Sequence, residues 1–216
     1  MSKQVISQVE VEFERQVGNL VDKGYPQLAG MTEEAFVSLL SPLKEKLVEI
    51  KEFKVDVEQG VLPFVIVLKS SLIPAEEMMA KVEREGKSGV TKLNPHQAYE
   101  FQILEKVVLP EGEVYLLVDI DRGKETLNVT PEEAFRFIEE DGRSPLTIEE
   151  GIALVTHFPE FLIKNNCFSL LASRKAKSQS VPAVWINGNK QPNLGWCWDR
   201  NPHTWLGSAS AKKRLR

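Results

Sequence analysis

The residues best suited to chemistry lie between positions 194 and 210, where the chain reads LGWCWDRNPHTWLGSAS. This stretch holds three of the four tryptophans, one of the two cysteines and one of the three histidines. Aromatic rings beside a few polar groups are typical of pockets that bind planar or sugar-like ligands. We therefore predict a pocket for a small molecule or a peptide, with no assigned reaction. Its predicted lining residues are Trp185, Trp196, Trp198, Asn201, His203 and Trp205.

Three of these tryptophans belong to two predicted strands, whose geometry decides whether the rings meet. Side chains alternate along a strand, so Trp196 and Trp198 share one face and Cys197 takes the other. An even number of residues in the connecting loop places Trp185 on the face of Trp196 and Trp198, and an odd number places it on the opposite face. Because two-residue turns are the commoner ones, we predict three indoles on one face. These rings either pack under helices as core or form the floor of the pocket.

A second hypothesis makes the same region a cysteine and histidine dependent hydrolase. Cys197 would be the nucleophile, His203 its base, and Asp199 or Asn201 would orient the histidine. A thiol in the middle of a strand is usually buried and inert. An exposed Cys197 with a lowered pKa beside His203 would favour the enzyme, and a buried Cys197 would argue against it.

Two carboxylates close the predicted strand 114–121. Asp119 and Asp121 lie two residues apart on one face, where they could hold a divalent cation or act as an acid and base pair. Turn formation alone also explains Asp and Gly at the end of a strand. Since no third carboxylate follows at a matching spacing, no metal is predicted here.

The histidines and cysteines offer another set of ligands. His157, Cys167, Cys197 and His203 are residue types that tetrahedral zinc accepts, but they lack a close pair such as Cys-x-x-Cys. No cofactor is predicted. His96 is predicted to be a surface residue with no nearby partner.

The charge of the chain is distributed unevenly. The net charge of 216 residues is -4, yet residues 174–216 hold nine basic and one acidic side chain. This basic region either binds an anion or RNA, or lies against the acidic body with 211–216 as a solvated tail. No apolar run approaches the length of a membrane span, and two cysteines are too few for a disulfide framework. We expect a cytoplasmic protein that does not enter a membrane.

The elements that must position these residues predict an α+β fold, with N-terminal helices and a mixed sheet that ends in an antiparallel meander. We expect a single domain over 1–216, made of a helical segment 1–50, an α+β core 61–210 and the tail. Apolar spacing predicts helices in 1–50, and capping boxes predict two more from Thr130 and Thr147. A further helix is predicted from Pro74 to Gly86. Predicted strands are 61–69, 99–113, 114–121, 167–174, 181–187 and 193–198.

Several longer stretches resemble a known bacterial family. They are YLLVDIDRGKETLNVTPEEA, GRSPLTIEEGIALVTHFPEFL, CFSLLASR, VPAVWI, LGWCW and NPHTWLGSAS. Together they resemble a family of uncharacterised proteins, a domain of unknown function frequent in actinomycetes. The resemblance covers about residues 24–210 and is most specific over 113–210. It implies a self-contained bacterial cytoplasmic protein, and because the family has no established activity it supplies no catalytic residue.

Overall fold

The computed structural model describes residues 3–216, with side chains from Val5 onward. Its helices are α1 (Lys3–Asp22), α2 (Tyr25–Leu28), α3 (Glu33–Leu40), α4 (Ala75–Ala80), α5 (Pro131–Glu140) and α6 (Ile148–His157). A 3-10 helix, Ser41–Glu49, follows α3. The predicted helical segment 1–50 therefore holds α1 to α3 and this 3-10 helix, while Met1 and Ser2 lie outside the described residues.

The strands are shorter and more numerous. They are β1 (Val61–Leu68), β2 (Glu83–Arg84), β3 (Lys87–Ser88), β4 (Val90–Thr91), β5 (Gln102–Ile103), β6 (Val114–Asp121), β7 (Ser144–Pro145), β8 (Cys167–Ser169), β9 (Ser173–Arg174), β10 (Ser180–Ile186), β11 (Pro192–Trp198), β12 (Leu206–Ser208) and β13 (Ser210–Leu215). With these helices and sheets the α+β class is confirmed.

The first sheet has the strand order β1-β6-β13-β7, and each neighbouring pair is antiparallel. β1 and β6 are the apolar runs predicted as buried strands, and nearly all of their side chains are buried. Helices α1 and α6 pack against β1. This sheet carries the largest part of the apolar core.

The C-terminal residues correct a prediction. A solvated tail at 211–216 is wrong, because Ser210–Leu215 form β13 between β6 and β7. Arg214 turns inward and donates from Nε and Nη2 to the buried Glu150 carboxylate at 2.5 and 2.9 Å. The Tyr115 hydroxyl donates to the same carboxylate at 2.8 Å. Removal of Arg214 would leave a buried carboxylate without its cation, so this strand is part of the core.

Helix α1 covers the outer edge of β1. The Gln16 side chain is fully buried; its Oε1 accepts from the Ile66 N–H at 2.8 Å and its Nε2 donates to the Phe64 carbonyl at 3.1 Å. His157, at the end of α6, places Nε2 3.2 Å from the Ile66 carbonyl oxygen. Burial lowers the pKa of His157 to about 3, so this ring stays neutral at pH 7. On the edge of β1 that no strand pairs, the Phe64 carbonyl and both backbone groups of Ile66 thus contact side chains.

The second sheet has the order β12-β8-β10-β11-β4. Its centre, β8-β10-β11, is antiparallel, which confirms the predicted meander. β12 and β4 add at the two edges in parallel orientation. The meander presents all four tryptophans in or beside its strands.

The predicted helices differ in how well they match. Thr130 and Thr147 cap α5 and α6 with complete capping boxes, as the sequence predicts. The helix predicted from Pro74 ends at Ala80, since Glu83–Ser88 turn back as the β2-β3 pair. The strand predicted at 99–113 is wrong over most of its length: a short 3-10 helix and β5 occupy its first part. Within residues 3–216 each helix is too short or too polar to span a bilayer.

Candidate functional site

The hairpin β10-β11 sends its tryptophans to both faces of the sheet. Five residues, 187–191, connect the strands. This odd loop pairs Trp185 with Asn193 and Pro182 with Trp196. Paired residues share a face, so Trp185 lies opposite Trp196 and Trp198. The prediction of three indoles on one face is therefore wrong, and the aromatic residues form two clusters.

The Trp196 cluster consists of Trp196, Trp198, His96 and Phe101. The Trp196 and Trp198 rings meet edge to face at 4.9 Å between centroids and 88° between planes. His96 lies 5.4 Å from Trp196 and 5.6 Å from Phe101. Trp196 Nε1 donates to the Asn94 carbonyl at 3.2 Å. The outer ring, Trp198, keeps 54% of its surface exposed.

The polar groups of the Trp196 cluster are bonded to one another. His96 Nε2 lies 3.0 Å from Ser180 Oγ, and its Nδ1 lies 3.1 Å from Lys175 Nζ. Lys175 also pairs with Glu100 at 2.7 Å, and this hydrogen bond lowers the pKa of the Glu100 carboxyl. The prediction that His96 lacks a partner is wrong, because its partners lie about eighty residues away in the sequence. This cluster offers a ring to solvent but few free hydrogen-bonding atoms.

The Trp205 cluster consists of Trp185, Trp205 and His203. The two indole centroids are 6.2 Å apart at 73°, and the His203 ring is 5.2 Å from Trp205. All three side chains are half-buried. A Cβ at Gly195 would overlap Trp185 Cη2, so the indole lies directly over the backbone of β11. Glycine at this position permits that close approach.

Two polar side chains beside the Trp205 cluster have unpaired atoms. His203 Nε2 is buried and has no hydrogen-bond partner within residues 3–216. Asn193 is 1% exposed, and neither its Oδ1 nor its Nδ2 has a partner in the same range. Burial lowers the pKa of His203, so the imidazole is neutral at pH 7. Buried polar atoms are nearly always hydrogen-bonded, so these mark hydrogen-bonding capacity that the chain does not itself use.

The residues of the hydrolase hypothesis are not arranged for catalysis. Burial raises the pKa of the Cys197 thiol to about 11, which keeps it protonated at neutral pH. The Asp199 carboxylate pairs with Arg174 and not with His203. Asn201 is exposed, and its backbone N–H donates to the Trp198 carbonyl.

The carboxylates of β6 serve the backbone and other side chains. Asp119 Oδ1 accepts from Arg143 at 3.0 Å, and its Oδ2 lies 3.3 Å from Lys212 Nζ. Asp121 accepts from the Gly123 N–H at 2.6 Å, which closes the turn after the strand.

The four residues of the zinc hypothesis lie in different environments. His157 packs against β1, whereas Cys167 bonds the Ile163 carbonyl at the start of the meander. Throughout the part of the chain that the structure describes, no three His, Cys, Asp or Glu side chains form a group that could hold a metal ion.

A known family model matches most of the chain. A model described as a family of unknown function (DUF5701) matches residues 19–216. The chain belongs to this family. No curated protein and no solved structure matches it.

Sequence reasoning missed Asn193, Ser180 and Lys175. Asn193 had a detectable signal, since it is a polar residue on the face of a strand, NLGWCW, whose other members are apolar or small. Ser180 and Lys175 had none, because their roles depend on where His96 is placed by the fold.

Proposed function

We propose that the chain binds a small molecule or short peptide, presenting a planar ring or a sugar, at the Trp205 cluster. The observation that carries the proposal is the pairing of two half-buried indoles with the unpaired polar atoms of His203 and Asn193. Binding sites combine apolar rings with a few polar groups that fix orientation.

The chemistry of the two polar side chains defines the ligand. An asparagine amide both donates and accepts, and a neutral histidine does one of each at its two nitrogens. Because these groups are buried, the indole of Trp185 must move aside for a ligand to reach them; a donor and an acceptor at the edge of the ligand ring would then satisfy groups that otherwise remain unpaired. Because the two indole planes lie 73° apart, one indole would stack on a face of the ligand ring and the other would meet its edge.

Binding is favoured over the alternative functions that the sequence raises. A hydrolase needs an activated thiol, and Cys197 has a raised pKa. The Trp196 cluster, which the sequence placed in the same pocket, lies on the other face of the hairpin and has its polar atoms satisfied. Trp196, Trp198 and Asn201 are therefore outside the proposed pocket.

The test is a fluorescence titration with nucleosides, monosaccharides and aromatic amino acids. We expect at least one class to change tryptophan emission, and His203→Ala to abolish the change while the fold is retained. His96→Ala is the matched control, since it removes the same ring from the Trp196 cluster, and it should leave the response intact. Absence of any response, or equal losses in both variants, would contradict the proposal.

A further inference from the structure

A cleft of about 280 Å³ lies on the first sheet, and its lining includes no residue of either cluster. Its floor is formed by neighbouring residues of β1, β6 and β13, and includes the partly exposed Val61 together with Val118. One wall is the segment 49–54, which leaves the 3-10 helix Ser41–Glu49. The opposite wall is β13, with Lys212 and Lys213. The cleft thus joins an apolar floor to charged walls.

The backbone of the floor is strained at Asp119. This residue, two positions before the end of β6, has φ of 56°, in the left-handed region that residues other than glycine rarely adopt. Arg143 holds it there, donating to its carboxylate at 3.0 Å and to its carbonyl at 2.6 Å. Strained residues held by surrounding contacts concentrate at functional sites. This observation is independent of the shape and charge of the cleft.

The Lys213 ammonium group of the cleft forms no ion pair with a carboxylate of the described residues. On the segment wall, Lys54 pairs with Asp56 at 3.4 Å, and Lys51 donates to the Val48 carbonyl at 3.4 Å. Asp119, the carboxylate of the floor, is engaged by Arg143 and by Lys212. Within residues 3–216, Lys213 has no carboxylate within ion-pair distance. An ammonium group beside an apolar floor suits an anion that also carries an apolar part.

We propose that this cleft binds a small organic anion, with its charge against Lys213 and its apolar part on Val61 and Val118. This site is separate from the one at the Trp205 cluster. The proposal assigns to Lys213 the anion binding that the basic C-terminal region suggests. Arg214 takes no part, because it is buried against Glu150.

The test uses phenyl phosphate as the probe, with calorimetry on the full chain. Inorganic phosphate and phenol each supply half of its chemistry, so both should bind more weakly. Lys213→Glu should raise the dissociation constant of phenyl phosphate by roughly tenfold or more, since it replaces a charge-assisted contact by repulsion. Lys87→Glu is the matched control on an exposed residue of β3, and it should have little effect.

Other outcomes separate this site from the proposed pocket. Loss of phenyl phosphate binding in His203→Ala but not in Lys213→Glu would place the probe at the Trp205 cluster and overturn the inference. Equal effects of Lys213→Glu and Lys87→Glu would indicate unspecific charge attraction and would overturn it as well. Binding of inorganic phosphate as tightly as phenyl phosphate would contradict the role of the apolar floor.

Discussion

The Trp196 cluster and the Trp205 cluster are built on the same pair of strands and differ mainly in their polar atoms. In the first, His96, Ser180, Lys175 and Glu100 bond to each other. In the second, His203 Nε2 and the Asn193 amide are left unpaired. Aromatic content alone would rank the two alike, and Trp198 is the most exposed of the rings. Unused hydrogen-bonding capacity therefore distinguishes the Trp205 cluster, as a candidate site, from the Trp196 cluster, whose polar groups bond to one another.

The largest effect is expected at Gly195. A Cβ there overlaps Trp185 Cη2 and comes within 3.0 Å of Asn193 Nδ2, so Gly195→Ala must displace the indole. We expect a loss of about 1–3 kcal/mol in the free energy of unfolding, as for other overpacked sites, and loss of the ligand response. Gly188→Ala is the control, because nothing lies within 4 Å of its Cβ. Urea unfolding measures the stability of both variants, and equal stabilities would show that the Trp205 cluster is loosely packed against β11.

Substitutions of one polar residue in each cluster should have opposite signs. Asn193→Leu removes an unpaired buried amide and should raise the free energy of unfolding by about 1 kcal/mol, while abolishing ligand binding. Ser180→Ala breaks the bond to His96 and should lower it by about 1 kcal/mol without affecting binding. Thermal or urea unfolding gives the sign directly. A destabilised Asn193→Leu variant would mean that the amide is satisfied in solution.

Removal of the exposed ring should have a smaller effect. Trp198→Ala loses the edge-to-face contact with Trp196, worth about 0.5–1.5 kcal/mol, and should leave the ligand response unchanged. The variant also removes an exposed fluorophore, which simplifies the titration. A ligand response lost with Trp198 would move the site to the Trp196 cluster.

The smallest effect is a pH dependence of His203. Burial lowers its pKa in the folded chain, whereas the unfolded ring titrates near 6.5. The unfolded state therefore binds protons first as the pH falls, so the stability from a neutral His203 is complete above about 6.5 and declines below it. Solvent exposure of the ring keeps the decline small. Proton NMR titration should place the His203 pKa below the ordinary value, and ligand affinity should fall as the ring charges; a raised pKa would contradict the burial described here.

Local signals predicted those elements of this fold whose determinants lie within the element itself. Thr130 with Glu133 and Thr147 with Glu150 specify the starts of α5 and α6 through contacts within one turn. The apolar run of β1 specifies a buried strand, whatever its neighbours. These features depend on residues close in sequence, and so the sequence alone reveals them.

The candidate site depended on information that the sequence does not carry locally. The side of the sheet that Trp185 takes is set by the five-residue loop, and one residue fewer would reverse it. The partners of His96 come from 79 and 84 residues away. The basic residues 211–216 were predicted to be a solvated tail because the partner of Arg214, Glu150, is distant in the sequence. Asn193 could be located but not judged, since only the fold shows that its amide has no partner.

The cover that α1 provides over β1 has a consequence for aggregation. The strand edge from Phe64 to Leu68 is a continuous apolar run, and such an edge, once open, is a template for pairing with other chains. Gln16 closes it by occupying the backbone groups of Phe64 and Ile66 with one side chain. Detachment of α1 would expose the unpaired backbone groups of this edge. The two aromatic clusters would be less affected, because they lie on the other sheet. In a chain whose α1 has detached, we therefore expect association with other chains to begin at this edge.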